Sequence, residues 1–318
     1  MEFSIDRHQI EQAHERIKPF IHRTPVLRSE YLDKVSGANL FFKCENFQKI
    51  GAFKIRGAMN AVLSVPVDKL SKGVATHSSG NHAQALAYAA RHVGTKAMIV
   101  MPDNSPKVKV EAVRGYGAEI SFCEPTQQAR EHTLQQILDR TGAEFIHPYD
   151  DERVIAGQAS VAKELIEEIS GLDAIIAPVG GGGLLSGTLL SAHYFSPTTA
   201  VHAAEPEGAA DAILSVQTGT IEAAPYIDTI ADGLRTKLGE KTFPVIRQLV
   251  KSVYTISDEE IISAMKLVYE RMKIIIEPSS AVTLALVLKH KEEFSGKKVG
   301  IIFSGGNVDL AIAGKWFA

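Results

Sequence analysis

The residue best suited to covalent chemistry is a lysine among apolar neighbours. Lys54 lies between Phe53 and Ile55 in the segment Ile50-Gly51-Ala52-Phe53-Lys54-Ile55-Arg56-Gly57-Ala58, just before an apolar helical stretch. Most lysines in proteins are solvated surface charges. Apolar neighbours disfavour the ammonium form and lower its pKa, so that a neutral amine can form an imine and act as a base. We therefore predict that Lys54 is a nucleophile and a base.

A run of four glycines, Gly180–Gly183, stands between a predicted strand and the predicted helix Leu184–Phe195. Consecutive glycines let backbone N–H groups approach an anion, and the helix that follows adds the positive end of its dipole. The run thus predicts a phosphate cradle, although a tight turn that needs glycine only for packing remains an alternative. No Gly-Lys-Ser/Thr closes the run, and the dinucleotide fingerprint is incomplete because Leu185 and Ser186 follow where its third glycine would stand.

Two carboxylates form a third candidate site. Glu205 and Asp211 stand six residues apart in Glu205-Pro206-Glu207-Gly208-Ala209-Ala210-Asp211. An all-oxygen site of this kind suits magnesium or calcium, and a solvated acidic loop is the alternative. Glu205 also lies where an acid could bind a ribose, which keeps a dinucleotide-dependent oxidoreductase open as a different function.

The elements that must position these residues alternate along the chain. Short apolar runs predict strands, and segments with three- and four-residue apolar spacing predict helices. The predicted strands are Leu40–Lys43, Val74–His77, Ala97–Val100, Glu119–Phe122, Ala174–Pro178, Val201–Ala204 and Val299–Phe303, and the predicted helices include His82–His92, Pro106–Tyr116, Gln127–Arg140, Ile155–Glu168 and Leu184–Phe195. This alternation predicts α/β architecture with largely parallel sheets. Three Gly-containing turns follow strands directly and can converge on one ligand.

Composition excludes several classes of function. The chain has 318 residues, 45% of them hydrophobic, and a net charge of -3, so no basic field favours nucleic acid or an anionic membrane. Its two cysteines form no C-x-x-C pair, and no apolar run approaches the length of a membrane span. We expect a cytoplasmic protein that binds neither nucleic acid nor membrane.

Four motifs together resemble a known enzyme family. Ala52-Phe53-Lys54-Ile55-Arg56-Gly57-Ala58, Ser78-Ser79-Gly80-Asn81-His82, Gly180–Gly183 and Ser304-Gly305-Gly306-Asn307 are similar, in the same order, to the cofactor motifs of fold-type II pyridoxal-phosphate (PLP) enzymes. The resemblance is strongest to the serine racemase and serine/threonine dehydratase branch, with its hydroxyaspartate dehydratases. It implies two open, twisted, mostly parallel sheets with flanking helices. It also implies a large PLP-binding domain (1–72 and 149–318) and a small mobile domain (73–148).

The resemblance also implies the role of each cofactor residue. Lys54 would carry PLP as a Schiff base, the backbone of Gly180, Gly181, Gly182, Gly183 and Leu184 would bind its phosphate, and Asn81 would bind the ring hydroxyl. Phe53 and Gly233 would line the ring, and Ser304 would meet the pyridine nitrogen. A serine hydroxyl does not hold that nitrogen protonated, which makes the ring a weaker electron sink and suits elimination.

Ser79 bears on the type of reaction. Dehydratases of the family commonly have alanine at this position, whereas the racemase-like branch has serine. Lys54 and Ser79 on opposite faces of Cα would allow racemisation, and loss of the β-hydroxyl would give an oxo acid and ammonia. The alternative is that Ser79 only caps the helix beginning near His82. A catalytically inactive binding protein of the same fold is also open.

Substrate, metal and partner follow from the same resemblance. The turn Ser78, Ser79, Gly80, Asn81 and His82 would bind a small hydroxy amino acid such as serine, threonine or 3-hydroxyaspartate. Arg130 would meet its carboxylate, with a surface helix charge as the alternative. The racemase-like branch implies a divalent cation (magnesium, or calcium or manganese) held by Glu205, Asp211 and the carbonyl of Ala209. We also expect a homodimer.

Overall fold

The structure is a computed structural model that describes residues 3–105 and 107–318. These residues form the strands β1 (Val26–Leu27), β2 (Asn39–Cys44), β3 (Val74–His77), β4 (Ala97–Pro102), β5 (Glu119–Cys123), β6 (Glu144–Phe145), β7 (Ala174–Pro178), β8 (Ala200–Pro206), β9 (Ser252–Ile256) and β10 (Lys298–Phe303). Every strand predicted from the sequence is present, with its ends shifted by at most two residues.

Helices cover most of the remaining chain. They are α1 (Arg7–Ile17), α2 (Glu30–Ser36), α3 (Lys54–Leu63), α4 (Val67–Leu70), α5 (Asn81–Val93), α6 (Lys107–Gly115), α7 (Gln127–Thr141), α8 (Glu152–Glu168), α9 (Gly183–Phe195), α10 (Ala212–Thr218), α11 (Thr242–Leu249), α12 (Asp258–Met272), α13 (Pro278–Lys289), α14 (Lys291–Phe294) and α15 (Leu310–Trp316). Short 3-10 helices occupy Lys18–Phe20, Glu45–Phe47, Lys49–Gly51, Glu207–Ala209 and Asp232–Leu234. Pro106, the predicted first residue of one helix, lies outside the described residues.

The strands form two sheets. The larger has the order β1-β2-β10-β7-β8-β9 and is parallel except for β1, and the smaller has the order β5-β4-β3-β6 and is parallel throughout. Parallel strands require crossover connections, and the helices between them cover both sheets. The predicted α/β fold with two mostly parallel sheets is confirmed. The smaller sheet lies within residues 74–145, but the predicted mobility of 73–148 stays a prediction.

The order of the strands brings the chemistry-bearing turns together. In the larger sheet β7 lies between β10 and β8, so Ser304, Gly180 and Glu205 all lie at the carboxyl edge. Ser78 follows β3, at the carboxyl edge of the smaller sheet. Ligands of open α/β sheets bind at this edge.

Helices α3, α8 and α9 pack closely because glycines face their neighbours. A Cβ at Gly157 in α8 would lie 2.6 Å from the carbonyl oxygen of Arg56 in α3, and one at Gly187 in α9 would lie 2.6 Å from the amide nitrogen of Ala159. Neither neighbour is a movable side-chain end, so any larger residue at Gly157 or Gly187 would push the helices apart. This packing fixes the helix that begins with Lys54.

Beneath that helix lies a cluster of buried charges. Arg56 donates to both oxygens of Glu45 (2.7 and 2.8 Å) and both oxygens of Glu164 (2.8 and 2.9 Å). Lys43 Nζ donates to Glu164 at 2.7 Å, and His14 lies 3.3 Å from the same carboxylate. The four charged side chains are at most 1% exposed. Two cations and two anions balance, which is the condition under which charges are tolerated in a core.

No helix in the described ranges is both long and apolar enough to cross a membrane. The sequence led to the same expectation for the whole chain.

Candidate active site

Lys54 is the first residue of α3 and is partly buried, and its Nζ donates one hydrogen bond, to the carbonyl oxygen of Pro148 at 2.9 Å. Its ammonium also lies 5.1 Å from the ring centroid of Phe53. Desolvation lowers the pKa of Lys54 to about 8, against the smaller upward effect of the Glu277 carboxylate. The environment expected from Phe53 and Ile55 is therefore present, and with this pKa roughly a tenth of the amine is neutral at pH 7, far more than for an ordinary lysine.

Backbone contacts join the Lys54 segment to the turn after β10. Phe53 N donates to Ser304 O at 2.9 Å, and Ala52 pairs with Gly305 in an isolated antiparallel bridge. The hydroxyl of Ser304 is buried and lies 3.2 Å from that of Ser280 in α13. The structure thus places Lys54, Phe53 and Ser304 together, as predicted.

The tetraglycine turn carries a set of unused donors. Among the described residues, the backbone N–H groups of Gly180, Gly181, Gly182, Gly183, Leu184 and Leu185 donate no hydrogen bond, and all six residues are buried. Buried backbone donors are nearly always paired. Unpaired donors at the start of α9, with the positive end of its dipole, form a site for an anion such as phosphate. Gly183 belongs to the helix rather than to the predicted turn.

The same glycines are also required by packing, so the packing alternative is partly right. A Cβ at Gly181 would lie 2.4 Å from Cδ1 of Tyr149, and one at Gly182 would lie 2.8 Å from Cβ of Thr242. A Cβ at Gly180 would lie 3.1 Å from the carbonyl oxygen of Gly233, which places Gly233 beside the turn. Since Tyr149 follows Pro148, whose carbonyl accepts from Lys54, one short segment contacts both the amine and the anion site.

Asn81 begins α5, and its side chain contacts two residues far along the chain, Glu277 and Asn307. Its Nδ2 lies 3.0 and 3.2 Å from the two oxygens of Glu277, and its Oδ1 accepts from Asn307 Nδ2 at 2.9 Å. The N-cap of α5 is Gly80, so Asn81 does not cap this helix. Its amide is held in one orientation by groups from two distant segments.

Glu277 is the residue that the sequence prediction missed. It is 4% exposed, accepts from Asn81 and from the backbone N of Asn307, and acts electrostatically on Lys54. Burial and the neighbouring Asp232 raise the pKa of Glu277 to about 7. The only signal in the sequence was Glu277-Pro278, an acidic residue before a proline that begins a helix.

The Ser-Ser-Gly-Asn-His turn shows that Ser79 is not a cap. Gly80 N donates to Ser78 Oγ at 3.3 Å, whereas the Ser79 hydroxyl has no hydrogen-bond partner among the described residues. A Cβ at Gly80 would meet nothing within 4 Å, so the turn borders open space. His82 is 2% exposed, its Nε2 lies 3.2 Å from Ile146 O, and its pKa is lowered well below the ordinary value, chiefly by burial. His82 is therefore neutral.

Arg130 lies in α7, which packs on the smaller sheet. Its guanidinium acts on His77, the last residue of β3, and thus contributes to the lowered pKa of that histidine, whose main cause is burial. The Nε of Arg130 is buried without a hydrogen-bond partner among the described residues. Arg130 thus lies near enough to His77, the residue before Ser78, to affect its charge.

Glu205 and Asp211 are brought together and buried, at 1% and 3% exposure. Burial is the main reason that the pKa of Glu205 is raised to about 8 and that of Asp211 to about 7. Glu205 accepts from the backbone N of Ala212 and Ile213, and Asp211 Oδ2 accepts from Leu238 N. Within the described ranges neither forms an ion pair, and no cluster of three or more His, Cys, Asp or Glu side chains could hold a metal. A cation there would need carbonyl or water ligands as well.

The Lys54 amine, with its lowered pKa, and the unpaired N–H groups at the start of α9 suit an aldehyde that carries an anionic group. The family model described as "Pyridoxal-phosphate dependent enzyme" matches residues 17–305. The chain belongs to the pyridoxal-phosphate-dependent enzymes. The unpaired N–H groups and the desolvated Lys54 fit this family's cofactor, and the family shows that PLP, rather than a dinucleotide, is the cofactor.

Relatives of this PLP enzyme cover nearly its whole length. It is 53% identical to a beta-hydroxyaspartate dehydratase of Paracoccus denitrificans (94% of this chain, 95% of that protein) and 50% identical to a serine racemase of Dictyostelium discoideum (96% of each). The structure of maize serine racemase superposes with a TM-score of 0.96 at 45% identity, covering 99% of this chain and 97% of that one. The predicted membership of the fold-type II PLP family is confirmed.

Proposed function

We propose that this PLP enzyme is a racemase, a dehydratase, or both, for small hydroxy amino acids such as serine. The observation that carries the proposal is Lys54, an amine with a pKa of about 8 beside a buried row of unpaired N–H donors. Bound PLP supplies an electron sink that stabilises negative charge at Cα of an attached amino acid. Serine racemases and hydroxyaspartate dehydratases are among the relatives, which supports both reactions.

The chain's own residues divide the proton transfers. Lys54 Nζ takes the Cα proton on one face, because its neutral form is accessible near neutral pH. Ser79, whose hydroxyl is uncommitted in the described structure, serves the other face. Return of the proton from the opposite face inverts the amino acid, and loss of the β-hydroxyl as water leads to an oxo acid and ammonia.

The proposed binding roles are those that the sequence predicts. The N–H groups of Gly180, Gly181, Gly182, Gly183 and Leu184 would hold the phosphate of PLP, and Asn81 would bind its ring hydroxyl. Phe53 and Gly233 would line the ring, and Ser304 would meet the pyridine nitrogen. The turn of Ser78, Ser79, Gly80, Asn81 and His82 would bind the substrate, and Arg130 would reach the substrate carboxylate on closure of the 73–148 domain.

A second substrate class is 3-hydroxyaspartate. The specific support is the 53% identity to a beta-hydroxyaspartate dehydratase and the 48% identity to an L-threo-3-hydroxyaspartate ammonia-lyase of Saccharomyces cerevisiae. Threonine is a third substrate to test, since a threonine deaminase structure superposes with a TM-score of 0.91 at 41% identity.

We also propose a divalent cation at Glu205 and Asp211, with the carbonyl of Ala209 as a third ligand. Its support is that both carboxylates are buried without a cationic partner in the described structure, which is costly unless an ion or protons neutralise them. Oxygen ligands alone favour magnesium, calcium or manganese.

The assembly is proposed to be a homodimer. Phe47 and Ile275 are 44% and 45% exposed, and they are neighbours because Asn46 Nδ2 donates to Ile275 O. Light scattering during gel filtration tests this, and a monomer at micromolar concentration would contradict it. Cys44 and Cys123 are free thiols, which fits the proposed cytoplasmic location.

The experiment that tests the function has two stages. The purified protein should show a visible absorption band that borohydride removes, with the pyridoxyl label on Lys54. Serine, threonine and 3-hydroxyaspartate, each as separate enantiomers, are then assayed for oxo-acid release and for enantiomer exchange. A protein without the band would refute the cofactor assignment, and a labelled protein that turns over none of the substrates would be the inactive binding protein.

A further inference from the structure

Thr242 contacts the tetraglycine turn through its side chain. It is the first residue of α11 and is fully buried. Its Oγ1 lies 2.8 Å from the carbonyl oxygen of Gly181 and 2.9 Å from the amide nitrogen of Gly239. One hydroxyl therefore joins the turn before α9 to the segment before α11.

The Thr242 hydroxyl donates its single hydrogen to the carbonyl oxygen of Gly181. Gly239 N–H donates to Thr242 Oγ1, so the hydroxyl must direct its own hydrogen to a carbonyl. Gly239 O is farther away, at 3.2 Å, and already accepts from Phe243 N at 2.9 Å. Gly181 O has no other donor among the described residues. A buried carbonyl with one available donor fixes the direction of that bond.

The position of Gly181 O sets the direction of the next N–H group. The structure contains no cis peptide bond among its described residues, and in a trans peptide the C=O of one residue and the N–H of the next point in opposite directions. Because Thr242 holds Gly181 O towards α11, Gly182 N–H points away from α11. Gly182 has a φ of +90° and is one of the residues whose N–H is unpaired.

We propose that Thr242 is a positioning residue that aims Gly182 N–H at the phosphate of the cofactor. The proposal rests on the function proposed above and adds to it a residue from outside the four motifs. The segment that carries Thr242 is held firmly, since Asp150 accepts from Glu240 N and Lys241 N at 3.1 and 2.7 Å and Leu238 N donates to Asp211. Thr242 is thus a fixed point against which the turn is oriented.

The test compares Thr242→Val with Thr242→Ser. Valine keeps the shape and loses the hydroxyl, whereas serine keeps the hydroxyl and loses the methyl group. Each holoenzyme is resolved with hydroxylamine, and the apoprotein is titrated with PLP and with pyridoxal, which lacks the phosphate. We expect Thr242→Val to weaken PLP binding about 10-fold, the value of one charge-assisted hydrogen bond, with pyridoxal affinity unchanged. Thr242→Ser should keep the wild-type ratio of the two affinities.

A spectroscopic readout accompanies the titration. The phosphorus-31 resonance of the bound cofactor should move in Thr242→Val and stay in place in Thr242→Ser. If Thr242→Val does not fold, the comparison is made between Thr242→Ala and Thr242→Ser. Equal losses for PLP and pyridoxal, or equal ratios in the variants with and without the hydroxyl, would overturn the proposal. Wild-type protein that binds neither compound at Lys54 would refute the proposed function itself.

Discussion

Replacing Arg56 by lysine tests whether the buried charge cluster supports the fold that carries Lys54. Arg56 makes five hydrogen bonds shorter than 3.2 Å, four to the carboxylates of Glu45 and Glu164 and one to Ser160 Oγ at 3.1 Å, and a longer one to His22 O at 3.5 Å. Lysine keeps the positive charge but has three donors on one nitrogen atom. It cannot reach both carboxylates as the planar guanidinium does, so at least two of the five bonds are lost.

The loss of stability follows from the buried carboxylate oxygens that would be left without a donor. Glu45 Oε2 accepts only from Arg56 Nε within the described part of the chain, whereas Glu164 keeps Lys43 and His14. Each lost bond to a buried charged group costs about 1.5 kcal/mol or more, which gives about 3 kcal/mol for Arg56→Lys. For a chain of 318 residues, an unfolding entropy of about 2.1 cal/mol/K per residue converts this into about 5 °C.

Thermal unfolding followed by circular dichroism, with PLP at saturation, measures the shift. The matched control is Arg7→Lys, since Arg7 pairs with Glu11 at 3.0 Å but the two side chains are 61% and 40% exposed. An exposed pair contributes at most a few tenths of a kcal/mol, so this control should move by less than about 1 °C. Shifts of equal size in the two variants would refute the reasoning that burial makes the Arg56 contacts strong.

Four further predictions concern the active site and the proposed cation site. Ser79→Ala should abolish racemisation and largely spare elimination from L-serine, measured as enantiomer exchange and pyruvate release, and equal losses would contradict two-face proton transfer. Capture of PLP by the apoprotein should accelerate as pH rises, with a midpoint near 8, because Lys54 reacts as the neutral amine and its pKa is lowered to about 8. Glu277→Gln should move that midpoint down, since the carboxylate raises the pKa of Lys54. A chelator should lower the unfolding temperature and magnesium restore it, whereas Asp211→Asn should respond to neither.

The sequence predicted the parts of the fold that local patterns determine. Buried parallel strands read as continuous apolar runs, so β3 and β7 were predicted to the residue. The short strands β1 and β6 were missed because two residues carry no periodicity, and β9, Ser252–Ile256, was missed because its burial is only partial. Helix α8 begins at Glu152 rather than at Ile155, since Asp151 accepts from Arg153 N and caps it.

Within the site, sequence analysis could predict those residues whose chemistry depends on residues adjacent to them in the chain. Lys54 could be predicted because Phe53 and Ile55 are adjacent to it. The role of Glu277 could not be predicted, because it depends on contacts with Asn81, which lies 196 residues away, and with Asn307. Thr242 was likewise beyond prediction, since its contact with Gly181 spans 61 residues. Such contacts arise from the strand order, and no local pattern encodes them.

Two basic side chains in the first turn of α3, Lys54 and Arg56, lie in environments that shift their pKa values in opposite directions. Arg56 is surrounded by carboxylates and stays charged at any accessible pH, because two buried anions raise its pKa. Lys54, two residues earlier, has only the carbonyl of Pro148 as a hydrogen-bond acceptor among the described residues, and burial lowers its pKa to about 8. Arg56 joins α3 to the core through four hydrogen bonds to two buried carboxylates. Because Arg56 anchors the helix that carries it, the Lys54 amine needs only one hydrogen bond of its own, and it can lose a proton and form a bond with the cofactor.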